Sequence, residues 1–217
     1  MSQLAINVFE HRDRLLHALR TGEELPEFIR RMAGGSLLWA VLYGAVLGGQ
    51  IGGWQVVSSP VKLPLILLGT AVICVTALYV MLALAGARLH WKQVLGLTLC
   101  FLSASGITMG CVLPVTAFWT QVLHGQRGPI TLVHTVAFLA CGAVGALFGL
   151  EMTRGLFDRS RLVQVVMGWM VVYALVAQQM AWLFRPHFNA TTVFMRPLST
   201  GGSALQTIWE ILGHLLR

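Results

Sequence analysis

The residues able to do chemistry in this 217-residue chain are few and scattered. His134, His124 and His187 could ligate a metal or haem, while Gln50, Gln178 and Gln179 offer amides. Thr116 offers a hydroxyl, Trp182 an indole and Arg185 a guanidinium. All of them fall near the same ends of long apolar runs, together with Gln55 and Trp119. An outer-side polar cluster is therefore expected. Three kinds of chemistry compete for it. Amides and hydroxyls bonded across helices would fix helix rotation, at about 0.6 kcal/mol per bond. A small polar cavity would bind a ligand or lipid headgroup through Gln50, Thr116, His134, Gln178, Gln179, Trp182 and Arg185. A metal or haem site would pair His134 with His124 or His187. That third use ranks last, because no two histidines stand at ligand spacing on one helix. No metal or other cofactor is expected.

Catalytic signatures are missing from the sequence. It holds no G-x-S-x-G, no H-E-x-x-H, no phosphate-binding Walker loop and no paired carboxylates inside an apolar run. Glu151 is the only acid bordering such a run, and Arg154 three residues on is its expected partner. The four cysteines, Cys74, Cys100, Cys111 and Cys141, all lie inside apolar runs and form no C-x-x-C. They read as small apolar groups. No catalytic residue is assigned, and the chain is not expected to be an enzyme.

What positions these residues follows from composition. The chain is 56% hydrophobic and 11% charged, with mean hydropathy +0.74. A soluble domain carries about 25% charge. A soluble enzyme, a disordered regulator and a disulfide-rich secreted module are excluded. The net charge of +7 is not a nucleic-acid footprint, because the basic residues sit in short connections rather than clustering on one face.

Five apolar runs have the length needed to cross about 30 Å of hydrocarbon: Leu37–Val57, Leu63–Ala87, Val94–Trp119, Pro129–Leu150 and Leu162–Phe184. None of these runs contains Lys, Arg, Asp or Glu; Lys62 falls between the first two. Backbone polar groups in lipid must be satisfied within the segment, so the runs are read as helices. The expected fold is all-α: a polytopic membrane bundle of five transmembrane helices plus N- and C-terminal amphipathic helices. Its parts are a cytoplasmic segment over residues 1–36, the bundle over 37–184 and an outer tail over 185–217.

Orientation comes from the basic residues. Arg12, Arg14, Arg20, Arg30, Arg31, Arg88, Lys92, Arg154, Arg159 and Arg161 fall on one side. Lys62, Arg127, Arg185, Arg196 and Arg217 fall on the other. The positive-inside bias puts the N-terminus in the cytoplasm and the C-terminus outside. The opening segment is acidic as well as basic, unlike a cleaved signal peptide. Ile6–Leu19 carries an apolar stripe of Val8, Phe9, Leu15, Leu16 and Leu19, which suits the inner membrane surface or packing against protein. Ser203–Arg217 carries Leu205, Ile208, Leu212 and Leu215 at helical spacing and reads as an outer interfacial helix.

Glycines mark helix contacts. Gly44, Gly48 and Gly52, with Gly49 and Gly53 beside them, recur every four residues in the first run. Gly106/Gly110 and Gly145/Gly149 repeat that spacing. Such faces let helices approach closely, within one bundle or between copies. Pro114 is expected to kink the third run and Pro64 to open the second.

The fifth run ends Gln179-Met180-Ala181-Trp182, then Arg185-Pro186 and Phe188. This stretch of about 16 residues resembles a group of uncharacterised bacterial polytopic inner-membrane proteins, in which Phe directly follows Pro; here His187 intervenes. The resemblance implies a bacterial inner membrane and no particular reaction. Gln179, Trp182 and Arg185 share one helix face, so Arg185 is expected at lipid phosphate or beside Gln179. The expected role is a non-catalytic membrane scaffold or accessory subunit. Its partners would be the lipid bilayer and another membrane protein, or a second copy through the glycine faces. The alternative is a small-molecule or ion permease built on the outer cluster.

Overall fold

A computed structural model describes residues 12–123, 127–157 and 160–184, without the side chains of residues 50, 51, 127, 128, 131 and 160. All the elements among the described residues are helices: α1 (Arg12–Thr21), α2 (Leu25–Ile51), α3 (Gln55–Leu84), α4 (Trp91–Val122), α5 (Arg127–Leu156) and α6 (Ser160–Phe184). Helices α2 to α6 are each long and apolar enough to cross a membrane. The C-terminal helix expected over Ser203–Arg217, and the first residues of the N-terminal one, lie outside the described residues.

The five long helices alternate in direction. One end of the bundle carries α1, Arg88 and the start of α4; the other carries His134 and the end of α4. Helix α4 is the most deeply buried of the five. It packs against α2 and α5 on its two sides and more lightly against α3 and α1. Helix α3 packs on α2 and α6, and α6 returns to α5. The core gathers Leu78 and Leu82 of α3, Leu97 and Leu102 of α4, Met152 of α5 and Trp169 of α6. Trp169 Nε1 donates to the Cys74 carbonyl at 2.7 Å, and the Phe101 ring stands edge-on to both Trp169 and Tyr173. Large side chains form an outward belt, among them Val72, Val115, Leu132, Val171 and Leu139, the last 69% exposed. This belt is the surface a bilayer would cover.

Small residues determine how closely these helices approach. A Cβ on Gly44 would lie 2.6 Å from the Ser59 carbonyl oxygen. One on Gly48 would collide with the Gln55 carbonyl group. Gly106 faces the Ser36 backbone and Gly110 the Trp39 ring. Gly145 faces the Phe101 carbonyl, and Gly149 the side chains of Met170 and Phe101. These six glycines thus meet neighbours in the same chain. The other three do not. Gly49 faces open space, and Gly52 and Gly53 form the α2–α3 turn with φ of 78° and 57°.

Several expected boundaries move. Helix α2 begins at Leu25, so the division at residue 36 falls inside it. Pro26 lies within its first turn, where a missing donor costs nothing. Helix α3 begins at Gln55, so Pro64 lies within the helix rather than in its first turn, and so does Lys62. Helix α4 continues past Pro114 to Val122.

Helix α1 turns its apolar stripe toward the bundle. Leu15 and Leu19 are fully buried. Leu19 and Leu25 sit over Gly96, and Leu16 over Gly155. Gln93 Nε2 donates to the Leu19 carbonyl at 2.8 Å, capping the end of α1. Arg12 pairs with Glu151, which overturns the expected pairing of Glu151 with Arg154. Proximity across two helices outweighs spacing along one, because α1 lies beside α5.

The Gly48 contact makes a testable distinction. Gly48→Ala drives a methyl group into the backbone of α3 and should destabilise the protein by about 1–3 kcal/mol, read as a lower melting temperature in detergent. Gly49→Ala, pointing into open space, should leave it unchanged. Equal shifts would refute the close approach.

Candidate functional site

Polar groups gather at the His134 end in two places. The first is built around His134, only 2% exposed in the third turn of α5. Tyr43 of α2 brings its hydroxyl to Nδ1 at 2.8 Å. Thr120 of α4 brings Oγ1 to Nε2 at 3.1 Å. Thr120 also donates its own proton to the Thr116 carbonyl at 2.6 Å.

One placement of hydrogens satisfies these three contacts. A threonine hydroxyl has one hydrogen. Thr120 gives its hydrogen to Thr116, so it must accept from Nε2–H. The imidazole therefore carries its proton on Nε2, and Nδ1 accepts from the Tyr43 hydroxyl. In this placement the chain runs Tyr43 to His134 to Thr120 to the Thr116 carbonyl, with a neutral imidazole at its centre. Tyr43 packs edge-on to the His134 ring and is backed by Phe138, Leu47, Leu63, Met109 and Cys141. The arrangement ties α2, α4 and α5 together through side chains.

The second place lies on α3. Gln55, Ser58, Ser59 and Lys62 stand at positions i, i+3, i+4 and i+7, one face of a helix. All four are buried, Lys62 to 1% exposure. Ser58 and Ser59 donate to Gln55 Oε1 at 2.9 and 3.2 Å. The same turns present Val56, Val57 and Val61 outward. The segment is amphipathic with its polar face inward, as suits a helix in lipid. Its backbone at Gln55 and Ser59 meets Gly48 and Gly44 of α2. Helix α3, with 30 residues, is about 45 Å long at 1.5 Å per residue. It exceeds a hydrocarbon core of about 30 Å, so Lys62 in its third turn stands near one edge of that core.

The residues expected to line a common site divide. Thr116 and His134 come together, with Thr116 contributing its carbonyl; its hydroxyl turns back to the Leu113 carbonyl at 3.0 Å. Gln178 and Gln179 lie exposed on α6, and Trp182 is half-buried there. The bonds around His134 come from α2 and α4 instead. The side chain of Gln50, and all of Arg185, His124 and His187, lie outside the described residues. Two participants escaped the sequence reading. Tyr43 sits in the first apolar run and Thr120 one residue past the end of the third, and their signal was a hydroxyl at or near membrane depth. The α3 stripe had a clearer signal in its own spacing.

Among the described residues no three of His, Cys, Asp and Glu converge as a metal-binding group. Cys74, Cys100 and Cys141 are buried singly, and Cys111 is on the outer surface. No protein-family model matches the chain, and no curated protein or solved structure matches it.

The proton chain predicts coupling. Tyr43→Phe and Thr120→Val each remove one bond to the imidazole and should cost about 0.6–1.7 kcal/mol, the range for hydrogen bonds between membrane helices. The two costs should not add, since both act through one ring. Unfolding measured in micelles for the two variants and their double would detect this; strict additivity would refute the shared imidazole.

Proposed function

We propose that this chain is a non-catalytic integral membrane scaffold or accessory subunit of a membrane complex, resident in a bacterial inner membrane. The observation that carries this reading is the His134 node. Its ring is buried, both its nitrogens are bonded, and its partners come from helices α2 and α4. A group held in this way fixes helix rotation. A binding site would present open hydrogen-bonding positions to a ligand. The Arg-rich end, with α1, faces the cytoplasm in this reading. The partner is another membrane protein. Self-association through the glycine faces has less support, because six of the nine glycines contact helices of the same chain.

One observation favours a second reading. Lys62 is a buried ionisable group on a polar stripe, and ionisable groups within membrane helices mark ion or substrate paths. A small-molecule or ion permease would use that stripe.

Purification in mild detergent and reconstitution of the chain alone separate the two. The scaffold reading expects a second membrane protein at fixed stoichiometry. It also expects proteoliposomes of the chain alone to be no leakier to protons, potassium ions or small solutes than protein-free vesicles. Flux through the chain alone, lost in Lys62→Met, would establish the permease instead.

A further inference from the structure

The connection from α3 to α4 bounds a basin of about 590 Å3 at the Arg-rich end. This is within the size range of small-ligand sites. Among the described residues its polar lining is cationic or neutral, from Arg20, Arg88 and Gln93, and none of them is acidic. Arg20 is held in place by donating to the Gly155 carbonyl, the last turn of α5. That bond uses one of the five N–H donors of a guanidinium. The backbone amides of Arg88 and Leu89 have no acceptor among the described residues. The rest of the lining is apolar: Leu89 in the same connection, and Leu156, Phe157 and Leu162 at or next to the adjoining ends of α5 and α6.

We propose that this basin binds the phosphate of an anionic phospholipid headgroup, with the lipid's hydrocarbon running over Leu156, Phe157 and Leu162. Two guanidiniums and two backbone amides supply charge and donors for a phosphate. The apolar wall supplies a surface that a free phosphate would leave wet. Basic pockets between membrane helices recognise such headgroups by this combination. The inference is independent of the scaffold reading, because it needs only a bilayer.

Native mass spectrometry and thermal melting of the full-length protein test it. Micelles would be doped with dioleoylphosphatidylglycerol, with dioleoylphosphatidylcholine, or with glycerol 3-phosphate alone. The anionic lipid should be retained at least about fivefold better than the zwitterionic one, and should raise the melting temperature. Arg88 takes part in no described hydrogen bond, so Arg88→Gln should fold normally and lose about fivefold in retention, the effect of one basic residue near a lipid surface. Arg161→Gln, an exposed arginine at the same end but outside the basin, should lose less than about twofold. Equal losses in Arg88→Gln and Arg161→Gln would overturn the site in favour of diffuse attraction. Retention unchanged in Arg88→Gln would overturn it outright. Protection by glycerol 3-phosphate equal to that by the lipid would assign the basin to a soluble phosphate and overturn the lipid assignment.

Discussion

Helix α4 can pack against α2 on one side and α5 on the other only because its side chains are small at both crossings. On the α2 side stand Ser103, Gly106 and Gly110. Ser103 donates to the Met32 carbonyl at 3.2 Å, and Ser36 donates to the same carbonyl at 2.7 Å. On the α5 side, Gly145 approaches the Phe101 backbone and Ser105. Lipid offers no hydrophobic drive for such association, so dispersion between close backbones and hydrogen bonds between small polar groups must supply it. A larger residue at any of these places would separate helices whose only alternative neighbour is hydrocarbon. The remaining helices then have their positions set in turn: α3 follows α2 through Gly44 and Gly48, and α6 follows α3 through the bond from Trp169 to the Cys74 carbonyl.

Polar groups at the His134 end obey the same constraint. In hydrocarbon an unbonded donor costs several kcal/mol. The chain meets this cost by turning polar residues inward and bonding them to one another. Gln55 accepts from two serines one turn away, and His134 passes hydrogen bonds from a tyrosine to a threonine and so to a backbone carbonyl. The bonds at Gln55 stay within α3, whereas those at His134 join three helices that hydropathy alone would leave free to rotate. The valines of α3 that face outward complete the inversion of a soluble protein's pattern.

That inversion also explains what the sequence could disclose. Hydropathy located five membrane-length helices, since their apolar content needs no knowledge of neighbours. It misplaced the start of α3, because Gln55, Ser58, Ser59 and Lys62, with Pro60 among them, have the composition of a loop. Their spacing was that of a helix face, and in lipid a polar face points inward. Rotation about each axis was harder to read. Both sides of a membrane helix are apolar, so nothing in the runs distinguished Tyr43 and Thr120, which meet His134, from Gln178 and Gln179, which are exposed on α6. The glycines were legible as contact points but not by register: Gly48 packs while Gly49 does not. Gly52 and Gly53 continue the spacing in sequence yet belong to a turn, because the helix ends at Ile51.

The two ends of the bundle handle polarity by opposite means. At the His134 end, neutral groups are buried and bonded to one another, and the buried charged group among the described residues is Lys62, near the edge of the hydrocarbon. At the other end, charges stay in contact with water and hold the surface elements by long side chains. Arg12 reaches Glu151, and Arg20 reaches the carbonyl end of α5, where a cation also complements the helix dipole. The Arg12–Glu151 pair need not be strong, since exposed ion pairs contribute about 0–1 kcal/mol. Leu15 and Leu19, both fully buried, contribute more through apolar area removed from water, about 1.5–3 kcal/mol for each such side chain. Helix α1 is thus held to the bundle chiefly by its apolar face, and the arginines set where along α5 it lies. Arg20 also lines the concavity at the α3–α4 connection, where the bundle's apolar end and its positive charge meet.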